Sequence, residues 1–245
     1  MFVARNLVFS ALLLSASVAS AQQGGDLQAQ ILYAYQTEDT NSLENLIQNL
    51  TTQVTADASL RYHLAHSEYR LGLLEGSANA REAEAAFADC VDQLKPAVSK
   101  DVKSVEVLVL QSACYADLAN HRKFESVLLR SRSDERLKAA LKLAPRNPRA
   151  VFLSSMEGLS REQPGTVERQ HAFAQLQLAA QLFEASSATS VDTPGWGHAE
   201  AYLALGRELQ SRGDLLGARN WIEKSLIVAP DYKAAQRQLA LFVRH

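Results

Sequence analysis

The sequence predicts an all-α protein: an α-solenoid of about four helix–turn–helix repeats, with an N-terminal helix pair and a C-terminal capping helix. Three observations lead there. Apolar residues recur at spacings of three and four along the chain, and no recurring alternating run marks a sheet. Gly (11) and Pro (6) are scarce while apolar residues make up 47%, which suits a packed chain rather than a disordered or fibrous one. A unit of 34 residues, Ala199 to Tyr232, reads as two helices and a turn, and its slots are echoed upstream.

In that unit Tyr202, Leu205, Gly206 and Leu209 occupy positions 4, 7, 8 and 11, Ala218, Ile222 and Ser225 positions 20, 24 and 27, and Pro230 position 32. Tyr202, Leu205 and Leu209 form one stripe. Gly206 and Ala218 are small enough to let two helix backbones approach. Gly213-Asp214 is a turn, and Asp214 can accept the unpaired amides of the second helix. Pro230 cannot continue that helix, and Asp231 is placed to cap the next. These slots resemble the tetratricopeptide repeat (TPR). The resemblance implies a TPR-like solenoid. The wider layout also looks like exported bacterial TPR proteins of undefined function, through Leu141 to Ala150 (LKLAPRNPRA) and Trp196 to Ala201 (WGHAEA). It implies fold and compartment, and no activity.

Taken in order, residues 1–21 read as a secretory signal peptide: Arg5 near the start, an apolar run from Leu7 to Val18, and Ala19-Ser20-Ala21 as the cleavage site. No Cys follows that would carry a lipid anchor. The expected location is the periplasm, with no membrane span after cleavage. Residues 22–25 read as a flexible mature terminus and 26–245 as the TPR-like domain. Leu27, Ile31, Ala34 and Tyr35, then Leu43, Leu46, Ile47 and Leu50, make the N-terminal pair. A first repeat opens near Ser59, with Tyr62, Ala65, His66 and Tyr69, then Ala83, Phe87 and Cys90. Its turn, holding Gly76 to Asn79, is longer than usual.

The second repeat has Leu110, Ala113 and Cys114, then Ser133, Leu137, Ala140 and Pro145. About seven inserted residues lie within Asn120 to Arg132, and Ser133 reads as a helix cap. Asn147-Pro148 starts the third repeat as N-cap and first helical residue. Val151, Ser154 and Ser155 open it, Gln163 to Gly165 make its turn, and Ala172, Leu176 and Ala179 follow. Ser186 to Gly197 is the longest linker. The clearest repeat spans 199–232, and a capping helix over 232–243 shows an inner stripe of Ala235, Leu239 and Phe242.

Cys90 and Cys114 would meet an oxidising compartment. With the intervening turn near Val98, Cys90 faces a residue near 106 and Cys114 lies about 12 Å further along the axis. Bridged α-carbons lie within about 7 Å of each other. Two buried free thiols are the favoured expectation, and a disulfide the alternative.

Charge and motifs narrow the function. Lys and Arg number 25 against 27 Asp and Glu, a net charge of −2 that falls to −3 once Arg5 is removed with the leader. That excludes generic attraction to nucleic acid or to an anionic membrane. His63 and His66 share a helical face, but no third ligand is evident, so no metal is expected. There is no nucleophile elbow, phosphate loop or zinc-protease motif, and neither catalysis nor a cofactor is expected.

TPR solenoids use the concave face of their first helices. The register places Arg70, Gln111, Tyr115, Arg149, Phe152, Arg207 and Gln210 there, as candidates for a peptide whose carboxylate an Arg would take. His63, Met156, Leu203 and Glu200 fall on the same face. The basic and apolar insertion at 120–132 and Trp196 are further candidate contacts. The expected function is a non-catalytic periplasmic scaffold for a protein or peptide partner in the cell envelope. The alternative is a binding protein for a small-molecule or glycan ligand.

Overall fold

The structure, a computed structural model, describes residues 26–55, 58–76, 78–99, 104–187 and 195–242. The expected leader, mature terminus and most of the long linker lie outside them. The described residues fold into helices α1 (26–36), α2 (Thr40–Gln53), α3 (Arg61–Glu75), α4 (Ala80–Ser99), α5 (Val105–His121), α6 (Ser126–Leu143), α7 (Pro148–Arg161), α8 (Val167–Ser187), α9 (His198–Ser211), α10 (Leu215–Val228) and α11 (Lys233–Ala240). No strand occurs among them. Helices α3/α4, α5/α6, α7/α8 and α9/α10 pair as hairpins and stack in order, with α1/α2 before them and α11 after. The solenoid expected from the sequence is the fold.

The slots work as the residue types suggest. Tyr202, Leu205, Ala218, Ile222 and Ser225 are buried. A Cβ added at Gly206 would lie 2.6 Å from Ile222 Cγ1 and 3.0 Å from the Ala218 carbonyl, so only glycine allows α9 and α10 to approach this closely. Ser225 sits on the same interface and donates to the Ala199 carbonyl at 2.8 Å. Asp214 caps α10 by accepting from the Gly217 amide, and Asn147 caps α7 by accepting from the Arg149 and Ala150 amides. In the N-terminal pair, Ile31, Ala34, Leu43 and Leu50 are buried.

Three expectations are corrected. Cys90 and Cys114 form a disulfide, with α-carbons 6.2 Å apart. Pro96 does not end α4, which runs on to Ser99, and α5 begins at Val105. Cys90 lies nine residues before the end of α4 and Cys114 nine residues after the start of α5, and the two face each other. Second, the insertion at 120–132 is not a long turn. Helix α6 begins at Ser126, so most of the insertion forms its first turns. Ser133 is not a cap but a buried mid-helix residue, donating to the Ser112 carbonyl at 2.9 Å. Third, Asp231 does not cap α11. The N-cap position is Tyr232, with no side-chain cap bond, because its ring is held in the core against Tyr35.

The superhelix is tightly wound, and its two ends meet. Tyr35 of α1 lies 6.0 Å, ring to ring, from Tyr232, and Glu38 pairs with Arg237 of α11. Leu32 packs into the same cluster as Trp196, just before α9. Trp196, 2% exposed, donates its indole N–H to the Tyr62 hydroxyl of α3 at 2.9 Å. The inner helices α1, α3, α5, α7 and α9 thus surround a central lumen.

Candidate functional site

The lumen has a volume of about 820 Å³. Its deep wall is aromatic: Tyr35, Tyr69, Trp196 and Tyr232. Apolar groups from α7 and α9, among them Phe152, Met156 and Leu203, line another side. Toward the ends of α5 and α7 the lining turns polar, with Asp117, Asn120, Arg130, Glu157, Ser160 and Arg161.

At the deep end Arg70 is the hub. Its guanidinium lies 2.6 Å from Glu200, with the two side chains 3% and 12% exposed. Its Nε donates to His66 Nε2 at 3.0 Å, and its charge sits 4.2 Å from the Tyr35 ring centre. Burial, seconded by the Arg70 charge, pushes the His66 imidazole well below its ordinary range, so it accepts that bond as the neutral ring. The other Glu200 oxygen accepts from the Gly197 amide at 3.0 Å, and Gly197 takes a φ of 96°, which its lack of a side chain permits. One carboxylate therefore starts α9 and neutralises α3.

The polar side holds two perturbed acids. Burial raises Asp117 to about 6, offset in part by its hydrogen bond with Tyr69 and by the charges of His121 and Arg130. Burial and a hydrogen bond with Asp134 raise Glu157 to about 7. Burial works against ionisation of Asp134 too, but the hydrogen bonds from Glu157 and Arg161 outweigh it and hold Asp134 low. Arg161 bridges both, at 3.0 Å from Asp134 and 2.5 Å from Glu157. Arg130 donates to Asn120 at 2.8 Å and Arg207 to Gln238 at 3.2 Å. Neither has a carboxylate within 4.0 Å among the described residues, unlike Arg70 and Arg161.

The seven residues expected in the groove divide. Arg70, Phe152 and Arg207 line the lumen. Gln111 and Tyr115 are buried toward α6, where Gln111 accepts from Arg136 at 2.8 Å and Arg132 approaches the Tyr115 ring. Arg149 is buried 3.4 Å from Glu106, near the rings of Phe183 and Trp196. Gln210 is half-buried and accepts from Gln238 at 2.6 Å. On α9 the register places Glu200, Leu203 and Arg207 on the lumen, and Gln210 falls outside it. On α5 it was one residue early: Ser112, Ala116 and Asp117 face the lumen, a turn of about 100° from Gln111 and Tyr115.

Sequence reasoning missed Tyr35, Tyr69, Asp117 and Tyr232, and placed Arg130 in the 120–132 insertion, apart from the groove that it in fact lines. Asp117 carried a signal, being the one acid between Val107 and His121 on a largely apolar helix. Among the described residues no group of three or more His, Cys, Asp or Glu side chains is placed to hold a metal ion. None of their helices is long and apolar enough to cross a membrane.

No protein-family model and no curated protein sequence matches the chain. Among solved structures, it is similar to a thermophilic TPR protein of Thermus thermophilus. The two share 19% identity, the match covers 92% of this chain and all of the other, and the TM-score is 0.62. With the repeat slots buried in register and that likeness of backbone, the chain has the tetratricopeptide-repeat fold.

Proposed function

We propose that this chain is an exported, non-catalytic scaffold that holds a segment of a partner protein in its lumen. The observation that carries this reading is the lumen itself, bounded by all five inner helices and lined by apolar Phe152, Met156 and Leu203 beside Arg207 and Arg130, two cations without a carboxylate partner among the described residues. A segment presenting an apolar side chain and a carboxylate suits that lining. Arg70 and Arg149, expected to take such a carboxylate, already have Glu200 and Glu106, so the role passes to Arg207 and Arg130. The leader pattern of residues 1–21 and the Cys90–Cys114 disulfide support an oxidising compartment such as the periplasm.

The test is a photo-crosslinking residue placed at Met156, exposed at the lumen wall, in cells that export the protein. The expected result is one protein adduct that Arg207→Glu abolishes without loss of helix content. Adducts that survive Arg207→Glu, or none at all, would refute partner binding in the lumen.

A second reading, a small-molecule or glycan ligand, is favoured by the wall of Tyr35, Tyr69, Trp196 and Tyr232 and by a volume in the range of small-ligand pockets. Native mass spectrometry of the protein purified from its exporting cell would show a retained non-protein mass under that reading.

A further inference from the structure

The start of α6 presents an apolar tip that nothing in the fold uses. Phe124 is fully exposed in the turn before α6, and in the helix's first turn Val127 is 83% exposed and Leu128 is half exposed. Cations surround the tip. Between His121 and Arg132 the sequence carries Arg122, Lys123, Arg130 and Arg132 against the single acid Glu125. Arg122 is tied to Glu84 at 2.8 Å. Lys123, Arg130 and Arg132 are exposed and have no carboxylate within 4.0 Å among the described residues. In a chain of net charge −2, this is a local reversal of sign.

We propose that this tip docks the protein on an anionic lipid surface. The apolar side chains would enter the interface, with Lys123 and Arg132 at the level of the headgroups. Two observations favour lipid over a protein partner. The tip is small: three apolar side chains on a short turn and one helical turn, where a stable protein interface engages about 20–30 residues a side. The other exposed apolar residues on this edge, Val167 at the start of α8 and Leu215 and Leu216 at the start of α10, are each set off by a helix pair. Separated knobs suit a fluid surface that moulds to each, and give a shaped protein surface nothing continuous to match. The overall negative charge rules out general attraction to such a surface, so binding must come from the tip.

The experiment is vesicle sedimentation of the chain from Gln22 onward, which keeps every described residue and removes an apolar run that would bind lipid by itself. Vesicles of phosphatidylcholine mixed with phosphatidylglycerol, which carry a negative surface potential, are compared with phosphatidylcholine alone. The expected result is binding to the anionic vesicles only, weakened as salt rises. Phe124→Asp and Lys123→Glu/Arg132→Glu should each reduce it by roughly tenfold or more, with unchanged helix content. Equal binding to both vesicles, no binding, or binding undiminished by Phe124→Asp would overturn the proposal. So would a loss of self-association in Phe124→Asp, which would make the tip a contact between copies of this chain.

Discussion

Replacing Glu68 by glutamine should stabilise the protein, and by more the higher the pH. Glu68 lies on α3, 5% exposed, and its Oε2 has no hydrogen-bond partner. Burial, with Asp89 and Asp92 of α4 nearby, pushes its carboxyl from 4.5 up to about 9. The sign follows from where the proton sits. Above pH 4.5 the unfolded chain gives it up, while the folded chain holds it until about pH 9, so folded stability falls as pH rises across that window. Each pH unit is worth about 1.4 kcal/mol, which makes the loss about 3 kcal/mol at pH 7. Glutamine has no proton to release. The difference between Glu68→Gln and wild type should be small at pH 5 and grow by about 1.4 kcal/mol per unit to pH 8. Urea unfolding of both proteins at four pH values, followed by helix circular dichroism, measures it. The slopes due to Asp117, Glu157 and His66 are common to both and cancel. A difference that does not change with pH would refute the reasoning, since it would mean that Glu68 is ionised in the fold.

Three further predictions concern other links in the structure. Glu200→Ala should cost about 3–5 kcal/mol in urea unfolding, because it strands the buried Arg70 charge, and Arg70→Met added to Glu200→Gln should cost less than the two single changes summed. Reducing the disulfide, or Cys114→Ser, should lower stability by about 3.5 kcal/mol, from the chain entropy released between two positions 24 residues apart, read as a fall in melting temperature with reductant. Gly206→Ala should cost about 1–3 kcal/mol despite alanine's better helix propensity, because its Cβ meets Ile222 Cγ1 at 2.6 Å, and Ile222→Ala, which removes that atom, should cost less in the Gly206→Ala background than in the wild type.

Much of the fold was legible because a repeat states its rules several times over. The slots at Tyr202, Gly206, Ala218 and Ile222 are local: they fix which faces of two adjacent helices meet, and periodicity reads them directly. The caps at Asn147 and Asp214 are equally local. What failed depended on where a turn falls or on how the repeats rotate along the array. The sequence reading puts the turn near Val98, yet α4 runs on to Ser99, and that displacement decides whether Cys90 meets Cys114. The start of α6 was misplaced because the basic residues at 122–132 look like a loop until Leu129 is seen to be buried. The lumen was only partly legible. Its α7 and α9 walls follow the repeat register, but Tyr35 and Tyr232 arrive from the two ends of the chain, and Arg70 with Glu200 from helices 130 residues apart. The angle between successive repeats, which brings them together, is a sum of small packing differences that no motif records.

The meeting of α1 with α9 and α11 has a consequence for how this array can change. An open solenoid gains or loses a repeat at little cost, because each unit touches only its neighbours. Here Tyr35 must reach Tyr232, and Glu38 must reach Arg237, after a fixed cumulative rotation. Inserting or deleting one helix pair anywhere between them would swing the two ends out of contact. The number of repeats is therefore part of the tertiary structure, as strand number is in a closed barrel. Engineering by repeat addition, routine for linear arrays, should fail in this chain unless the closing contacts are redesigned with it.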